Sequence, residues 1–194
     1  MRNYFLREDP QAAKAERDAR FRAFFAESLA DYLGQPSFDA GREFAFRRGP
    51  HGKPYFADEA LAGVYFSISD TTGCRAVCFS DREVGVDCEN VPARARMGEE
   101  GIEKIARRWF SEEEQAFVAG DAHGGAPAVP DSEGMSAAER FFWVWTRKEA
   151  YVKWTGDGIF SGMRAFSTLG DERIVSGLFE EEIRWAICSE KQTA

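Results

Sequence analysis

Apolar residues recur at helical spacing in several stretches of this 194-residue chain. Residues 11–33 place apolar side chains between charges and stop at Gly34 and Pro36, which predicts an amphipathic helix. Residues 99–108 predict a second helix, and Ser111 begins a third. A strongly apolar stretch after Ser136 predicts the longest buried helix, which Gly156 should end.

Two of these helix starts carry the reciprocal capping box, in which a serine is followed three residues later by a glutamate. The pairs are Ser111 with Glu114 and Ser136 with Glu139.

Short segments rich in β-branched and aromatic residues predict strands. Residues 64–68, 75–79 and 83–88 are separated by turn sequences, so we expect successive antiparallel strands. Two more strand-like pieces, 173–179 and 183–189, follow the long helix. The sequence therefore predicts an α+β fold with two similar halves, each a helix with a small antiparallel sheet. We place the halves at 1–90 and 91–194, with a mobile loop at 119–136, where Gly, Pro, Ala and Asp dominate.

Composition narrows the class of protein. A hydrophobic content of 44% supplies a core, and a net charge of −8 argues against a nucleic-acid partner. The sequence has no apolar run long enough for a membrane span and no signal sequence, so we expect a soluble cytoplasmic protein. The four cysteines match no zinc spacing and are expected to be small buried hydrophobic residues: Cys74, Cys78, Cys88 and Cys188.

Asp87 and Glu89 stand two apart in a predicted strand, so their side chains should share one face. At roughly 5 Å and an effective dielectric near 20, two carboxylates repel by about 3 kcal/mol, which favours a bound cation or proton. A solvated strand end is the alternative.

Glu149 and Lys153 stand four apart on the long helix, where an ordinary helical ion pair is the simpler interpretation. If Glu149 converges with Asp87 and Glu89, the three carboxylates form an oxygen site suited to Mg²⁺. Lys153 would then be a point charge for phosphate.

The segment RRGPHGKPYF fixes a tight turn with two glycines and two prolines, from which Lys53 projects beside Arg48 and His51. Glycine allows the backbone to approach an anion closely, so this turn is a candidate phosphate-binding loop.

In order along the chain, GKP, FSIS-x-T, VGVDCE, WFSEEE and WTRKEAYVKWTGDG resemble the Sfp-type 4′-phosphopantetheinyl transferase family, over roughly residues 44–160. VGVDCE followed by WTRKEAYVKWTGDG is the specific pair. The resemblance implies two α+β halves related by a pseudo-twofold axis, with coenzyme A in the cleft between them. It also implies a function, the transfer of 4′-phosphopantetheine from coenzyme A to a serine of a carrier protein.

The resemblance assigns roles residue by residue. Asp87, Glu89 and Glu149 become ligands of Mg²⁺, and Glu149 is the candidate base. Lys53 and Lys153 become phosphate contacts, with Lys153 stabilising the leaving group. Four more positions would contact coenzyme A: Ser69, Asp70, Arg48 and Arg17.

Three further motif residues are interpreted structurally. Glu114 is a glutamate that the family pattern singles out, but we favour its capping role. His123 lies in the predicted loop and is expected to be incidental. Trp143 and Trp145 are expected to pack the interface between the halves.

Asp70 departs from the family, which usually has histidine there, a residue associated with the 3′-phosphate of coenzyme A. A carboxylate about 5 Å from that phosphate would weaken binding by roughly two decades. One rival function is therefore a decayed module that binds coenzyme A or a carrier protein without catalysis; another is a plain interaction protein.

The expected partner is an acyl, polyketide or peptidyl carrier protein. Its candidate docking residues are basic: Arg94, Arg96, Arg107 and Arg108. Two complete halves in one chain would build the cleft without a second subunit, so we expect a monomer.

Overall fold

Five helices and two three-stranded antiparallel sheets organise the described part of the chain in a computed structural model. The described residues are 1–35, 43–94, 97–121, 129, 132–158 and 162–191. The helices are α1 (Lys14–Leu33), α2 (Val91–Arg94), α3 (Gly98–Trp109), α4 (Glu112–Ala119) and α5 (Ala137–Thr155). The strands are β1 (Arg2–Arg7), β2 (Phe46–Arg48), β3 (Pro54–Phe56), β4 (Tyr65–Thr71), β5 (Cys74–Ser80), β6 (Val84–Asn90), β7 (Ile174–Phe179) and β8 (Ile183–Ser189).

The first sheet has the strand order β1-β5-β4, and α1 covers one of its faces. Phe25 and Leu29 of α1 are buried against Phe66 of β4 and Phe79 of β5. The aromatic rings of Phe25 and Phe79 lie 5.2 Å apart in an edge-to-face arrangement. Strands β2 and β3 form a separate two-stranded hairpin.

The second sheet has the order β6-β8-β7, and this arrangement corrects one prediction. β4 and β5 pair as expected, but β6 pairs with β8, about a hundred residues later, instead of extending the first sheet. In that register Glu89 lies opposite Arg184. The second sheet therefore contains strands from both sides of residue 90, and a division of the chain there stays a prediction.

A row of side-chain hydroxyls joins the two sheets, and we call it the hydroxyl seam. Alternate residues of β4 accept hydrogen bonds from alternate backbone amides of β6: Ser67 from Val86 at 3.0 Å, Ser69 from Cys88 at 3.2 Å and Thr71 from Asn90 at 3.1 Å. β6 is an edge strand, so its outward amides would otherwise lack backbone partners. The three hydroxyl-bearing residues stand two apart in FSIS-x-T, so all three side chains lie on the side of β4 that faces β6.

Helix α5 is the central helix of the C-terminal segment and packs on β6 and β8. Another of its faces packs against α3 and α4 through a cluster that includes Phe110, Phe141 and Phe142. Trp143 is buried in this cluster and Trp145 is partly buried against it, so both pack in the core as predicted. Their predicted position between the halves is wrong, because that face of α5 contacts neighbouring helices, not the first sheet.

Both predicted capping boxes are present, at Ser111 with Glu114 and at Ser136 with Glu139. Gly34 and Gly156 end α1 and α5 in the left-handed conformation, with φ of 66° and 74°. The fold class is therefore mixed helix and antiparallel sheet, as the sequence predicted.

The four cysteines are buried free thiols, which confirms their predicted packing role. Of the helices in the described ranges, none combines the length and apolarity that a membrane span needs. Half of the loop predicted at 119–136 lies outside the described residues, so its mobility stays a prediction; within it, Ala119 ends α4 and Ser136 caps α5.

Candidate active site

Gly85 sets the distance between β6 and α5. A Cβ atom at this position would lie 2.0 Å from the carbonyl oxygen of Ala150 and 2.4 Å from the amide nitrogen of Trp154. Only glycine fits there, because real Cβ atoms do not approach other atoms so closely. Asp87 and Glu89 follow on the same face of β6, so this close approach brings them to the helix that carries Glu149 and Lys153.

Asp87 is buried and makes two short contacts through one oxygen. Its Oδ1 accepts hydrogen bonds from Ser69 Oγ and from Lys153 Nζ, each at 2.8 Å. Its Oδ2 is buried and has no hydrogen-bond partner among the described residues. The structure therefore leaves one oriented carboxylate oxygen free for a further ligand.

Glu89 is also buried, and its carboxylate is engaged from two sides. Thr71 Oγ1 donates to it at 3.0 Å and Arg94 Nε at 3.1 Å. Burial and the charge of Asp87 raise the pKa of Glu89, while Arg94 and Thr71 oppose that shift. Arg94, predicted as a docking residue, is thus a partner of a candidate metal ligand.

Glu149 is buried, and no described residue donates a hydrogen bond to it or forms an ion pair with it. Burial, followed by the charge of Asp87, raises its pKa to about 7; Lys153 opposes this shift, and Glu89 adds to it. The charges of Asp87, Lys153 and Glu89 all act on the Glu149 carboxyl group, so these side chains lie near one another. A carboxyl group that titrates near neutral pH can accept a proton under working conditions.

Lys153 stands one turn beyond Glu149 and supplies the site's positive charge. Burial alone would lower the pKa of Lys153, but the carboxylates of Asp87 and Glu149 outweigh it and raise the pKa. The ammonium group therefore remains charged at neutral pH.

Lys53 lies in the same cleft, which has a volume of about 280 Å³ between the β2–β3 hairpin, β4 and the C-terminal end of α5. Its Nζ donates to the carbonyl oxygen of Trp154 at 2.9 Å and forms an ion pair with Glu83 at 2.5 Å. Glu149 and Lys153 also line this cleft. Sequence reasoning did not single out Glu83, because its role depends on the fold bringing the hairpin to it.

The other predicted coenzyme contacts lie elsewhere. Arg48 is exposed and donates to the carbonyl oxygen of Gly52 within its own hairpin, at 2.8 Å. Asp70 is exposed near the end of β4, opposite Arg75 in the strand register. Arg17 is half-buried on α1, and its Nε has no hydrogen-bond partner in the described ranges. The described lining of the cleft includes none of these three residues.

A magnesium ion in a protein needs oxygen ligands in nearly octahedral geometry. The described residues contain no group of three His, Cys, Asp or Glu side chains already arranged to hold a metal. The chemistry nevertheless suits a hard cation, because the free Oδ2 of Asp87 and the unneutralised Glu149 both lack a positive partner at hydrogen-bonding distance. The free oxygen of Asp87 and the carboxylate of Glu149 are therefore chemically suited to Mg²⁺, whereas Thr71 and Arg94 already engage Glu89, whose role as a ligand stays a prediction.

Glu114 has a structural role in a fully buried network. It forms the capping box with Ser111 and an ion pair with Lys148 at 2.8 Å, and both charged side chains are 0% exposed. Glu114 also accepts hydrogen bonds from the amide and hydroxyl of Thr168. This confirms the predicted cap and adds a buried partner, Lys148, that the sequence did not indicate.

Two residues named in the sequence analysis, His123 and Arg96, lie outside the described residues. Of the other candidate docking residues, Arg107 and Arg108 are exposed on α3. Arg107 pairs with Glu103 one turn away.

The fold and the cleft place this chain in a class of α+β proteins. In this class, carboxylates are suited to bind a divalent cation and lysines are suited to bind a phosphate group. A sequence profile of the 4′-phosphopantetheinyl transferase superfamily matches residues 83–193, which contain β6, α5 and their site residues. The chain belongs to the 4′-phosphopantetheinyl transferase superfamily.

Three curated relatives agree with this assignment. The chain is 33% identical over 143 residues to the 4′-phosphopantetheinyl transferase AcpT of Escherichia coli strain K12, covering 73% of this chain and 64% of that protein. It is 28% identical over 147 residues to the transferase gsp of Aneurinibacillus migulanus, covering 75% and 53%. It is 30% identical over 134 residues to HetI of Nostoc sp., covering 68% and 48%. The chain thus spans about half to two thirds of the length of these relatives.

Proposed function

We propose that this chain transfers the 4′-phosphopantetheine group of coenzyme A to a serine of an acyl, polyketide or peptidyl carrier protein, with Mg²⁺ as cofactor. The observation that carries the proposal is the meeting of Asp87, Glu149 and Lys153 where β6 touches α5. The names of the relatives, which are 4′-phosphopantetheinyl transferases, support the same reaction.

In the proposed reaction, the serine hydroxyl of the carrier protein attacks the β-phosphorus of coenzyme A. The bond from that phosphorus to the bridging oxygen breaks, and 3′,5′-ADP leaves. Asp87, Glu89 and Glu149 would hold Mg²⁺, which supplies neutralising charge for the diphosphate when bound. Catalysis otherwise depends on positioning and fixed charge.

Glu149 is our candidate acceptor of the serine proton, because it is buried in the cleft and no described residue donates a hydrogen bond to it. Lys153 stays protonated beside Asp87 and would stabilise charge on the leaving phosphate. Lys53, which lines the same cleft, would contact a second phosphate oxygen. Ser69 would act mainly through Asp87, whose Oδ1 it holds.

For the fold, we propose that the sheets β1-β5-β4 and β6-β8-β7 are related by a pseudo-twofold axis. Their equal strand number and similar order support this relation. The exposed arginines of α3 are the proposed contact for an acidic carrier protein, since the chain's net charge of −8 otherwise repels one.

Mass spectrometry of apo carrier proteins tests the proposed activity. Incubation of an apo fatty-acid, polyketide or peptide carrier with the full chain, coenzyme A and Mg²⁺ should add about 340 Da, the mass of the transferred arm. Glu149→Gln should slow the transfer at least about a hundredfold, whereas the matched surface variant Glu113→Gln should not. A complete absence of mass gain with all three carrier classes would contradict the proposal.

The rival function is binding of coenzyme A or a carrier protein without transfer. Asp70 was the main argument for it, but this residue is not among the described residues that line the cleft. Magnesium-dependent binding of coenzyme A with no mass gain on any carrier would favour this rival.

A further inference from the structure

A second cavity, of about 550 Å³, lies beside the N-terminal half of α5, between that helix and the β7–β8 hairpin. Trp143 and Arg147 line it from the helix, and Ser176, Leu178 and Arg184 from the sheet. None of the described residues that line the candidate active-site cleft also lines this cavity. Nothing in the proposed reaction uses it.

Arg184 is the unusual feature of this cavity. Its side chain is only 6% exposed, and its Nε is buried without a hydrogen-bond partner. No described residue forms an ion pair with it. The carboxylate across the strand pair, Glu89, is already engaged by Thr71 and Arg94. A buried guanidinium without a partner is costly, so this site is incomplete as it stands.

Arg147 adds a second positive charge to the cavity wall. It is 5% exposed, and its hydrogen bonds all go to uncharged acceptors, namely three backbone carbonyls and the hydroxyl of Ser176. Its guanidinium also lies 4.3 Å from the ring centroid of Trp143. Arg147 is thus well held, but no carboxylate of the described residues lies within hydrogen-bonding distance of its charge.

Neither of the two carboxylates that line the described part of the cavity forms an ion pair with Arg184. Glu139 attracts it electrostatically, but a Glu139 oxygen accepts from the amide and hydroxyl of Ser136 in the capping box of α5. Glu133 is exposed at the edge of the cavity. The donors of Arg184 therefore remain open toward the cavity.

We propose that this cavity binds a small organic carboxylate. A carboxylate matches the planar guanidinium of Arg184, which can donate two parallel hydrogen bonds to it. The apolar part of the ligand would lie against Trp143, Met135 and Leu178. The volume falls in the ordinary range for small-molecule sites.

Calorimetric titration of the full chain tests the site with three probes: benzoate, its neutral analogue benzamide, and inorganic phosphate. Benzoate should bind with a Kd of about 1 mM or lower and at least about tenfold more tightly than either other probe. Arg184→Gln should weaken benzoate binding at least about tenfold, whereas Arg22→Gln, a matched exposed arginine, should leave it unchanged. Equal binding of benzoate and benzamide, or tighter binding of phosphate, would overturn the assignment.

A second measurement serves if Arg184→Gln fails to fold. In the unaltered chain, the Nε–H resonance of Arg184 in proton–nitrogen correlation spectra should shift progressively as benzoate is added. If that resonance stays in place while benzoate binds, the carboxylate occupies another site and the proposal is wrong.

Discussion

Glu149 combines burial, two neighbouring carboxylates and no hydrogen-bond donor from the described residues. Its raised pKa makes the ionised form a cost to the folded protein when no cation is bound. Such a residue lowers the stability of the fold, but its environment suits proton transfer or metal binding. Functional sites commonly lose stability in this way.

The pH dependence of stability tests this cost. The pKa of Glu149 is about 7 in the fold against an ordinary 4.5, so the folded state binds the extra proton between these values. Stability should therefore fall as pH rises from 4.5 through 7, by up to about 3 kcal/mol. In Glu149→Gln this contribution is absent. The free energy of unfolding of the variant, relative to that of the unaltered chain, should therefore increase from pH 5 to pH 8.

Urea unfolding in EDTA at both pH values measures that gain, and Glu113→Gln, an exposed glutamate, is the control. The difference in unfolding free energy between Glu149→Gln and the unaltered chain should change from pH 5 to pH 8. A change below about 1 kcal/mol would show that Glu149 is better solvated than its surroundings indicate.

Asp70 gives a second prediction at this scale, which rests on the proposed function. Because the usual histidine is replaced by an exposed carboxylate, the enzyme should discriminate poorly between coenzyme A and its 3′-dephospho form. The ratio of kcat/KM for the two donors should stay below about a hundredfold, and Asp70→His should increase it. A larger preference in the unaltered chain would mean that other cations hold the 3′-phosphate.

Helix α5 and strand β6 are the pair of elements on which the candidate site depends, and Gly85 is their contact point. Gly85→Ala should force the helix off the strand and destabilise the protein by about 3 kcal/mol or more, since the clash involves backbone atoms. Gly63→Ala is the matched control: no atom lies within 4 Å of the added Cβ, so its effect should stay within about 1 kcal/mol. Equal urea midpoints for the two variants would show that α5 can move away freely.

The buried pair of Glu114 and Lys148 joins α4, α5 and the segment around Thr168. Burial lowers the pKa of Lys148, and Glu114 opposes this shift. Lys148→Met leaves an unpaired buried carboxylate and should cost about 3–5 kcal/mol, part of which Glu114→Gln should restore in the double variant. Lys104→Met, at an exposed lysine, should be nearly neutral in the same unfolding assay. A small loss in Lys148→Met would mean that the hydrogen bonds from Ser111 and Thr168 are enough to hold the Glu114 carboxylate in the core.

Local sequence signals predicted the helices and strands better than they predicted which strands pair. The four longer helices, both capping boxes and the β7 and β8 strands follow from nearby residues, whereas the short helix α2 was not predicted. β1 was not predicted, because its strand conformation depends on pairing with β5, about seventy residues away. The pairing of β6 with β8 has the same long-range cause, and it decides which groups Asp87 and Glu89 meet.

The site was predicted in the same uneven way. The motif pair led to Asp87, Glu149 and Lys153, which the fold brings together. The partners that set their chemistry, such as Thr71, Arg94 and Glu83, follow from packing between distant segments and carry no local signal. The role of Ser69 as a coenzyme contact stays a prediction; the structure buries its hydroxyl between the sheets, with Asp87 and Cys88 as partners.

At the scale of the whole molecule, the hydroxyl seam links the first sheet to the second without backbone pairing. The link is also continuous with the candidate site, since the Ser69 hydroxyl that accepts from Cys88 also donates to Asp87. Any motion that separates the sheets must break these bonds.

The seam therefore provides three built-in reporters of that motion. The amide protons of Val86, Cys88 and Asn90 are protected by side chains, not by a neighbouring strand's carbonyls, so hydrogen exchange at these amides measures how often the two sheets part. Ser67→Ala should speed exchange at Val86 by about tenfold or more, whereas Ser28→Ala, a buried serine on α1, should not. An unchanged rate at Val86 would mean that packing alone keeps the sheets closed. Similar rates at all three amides in the unaltered chain would show that the molecule opens along this line as one unit.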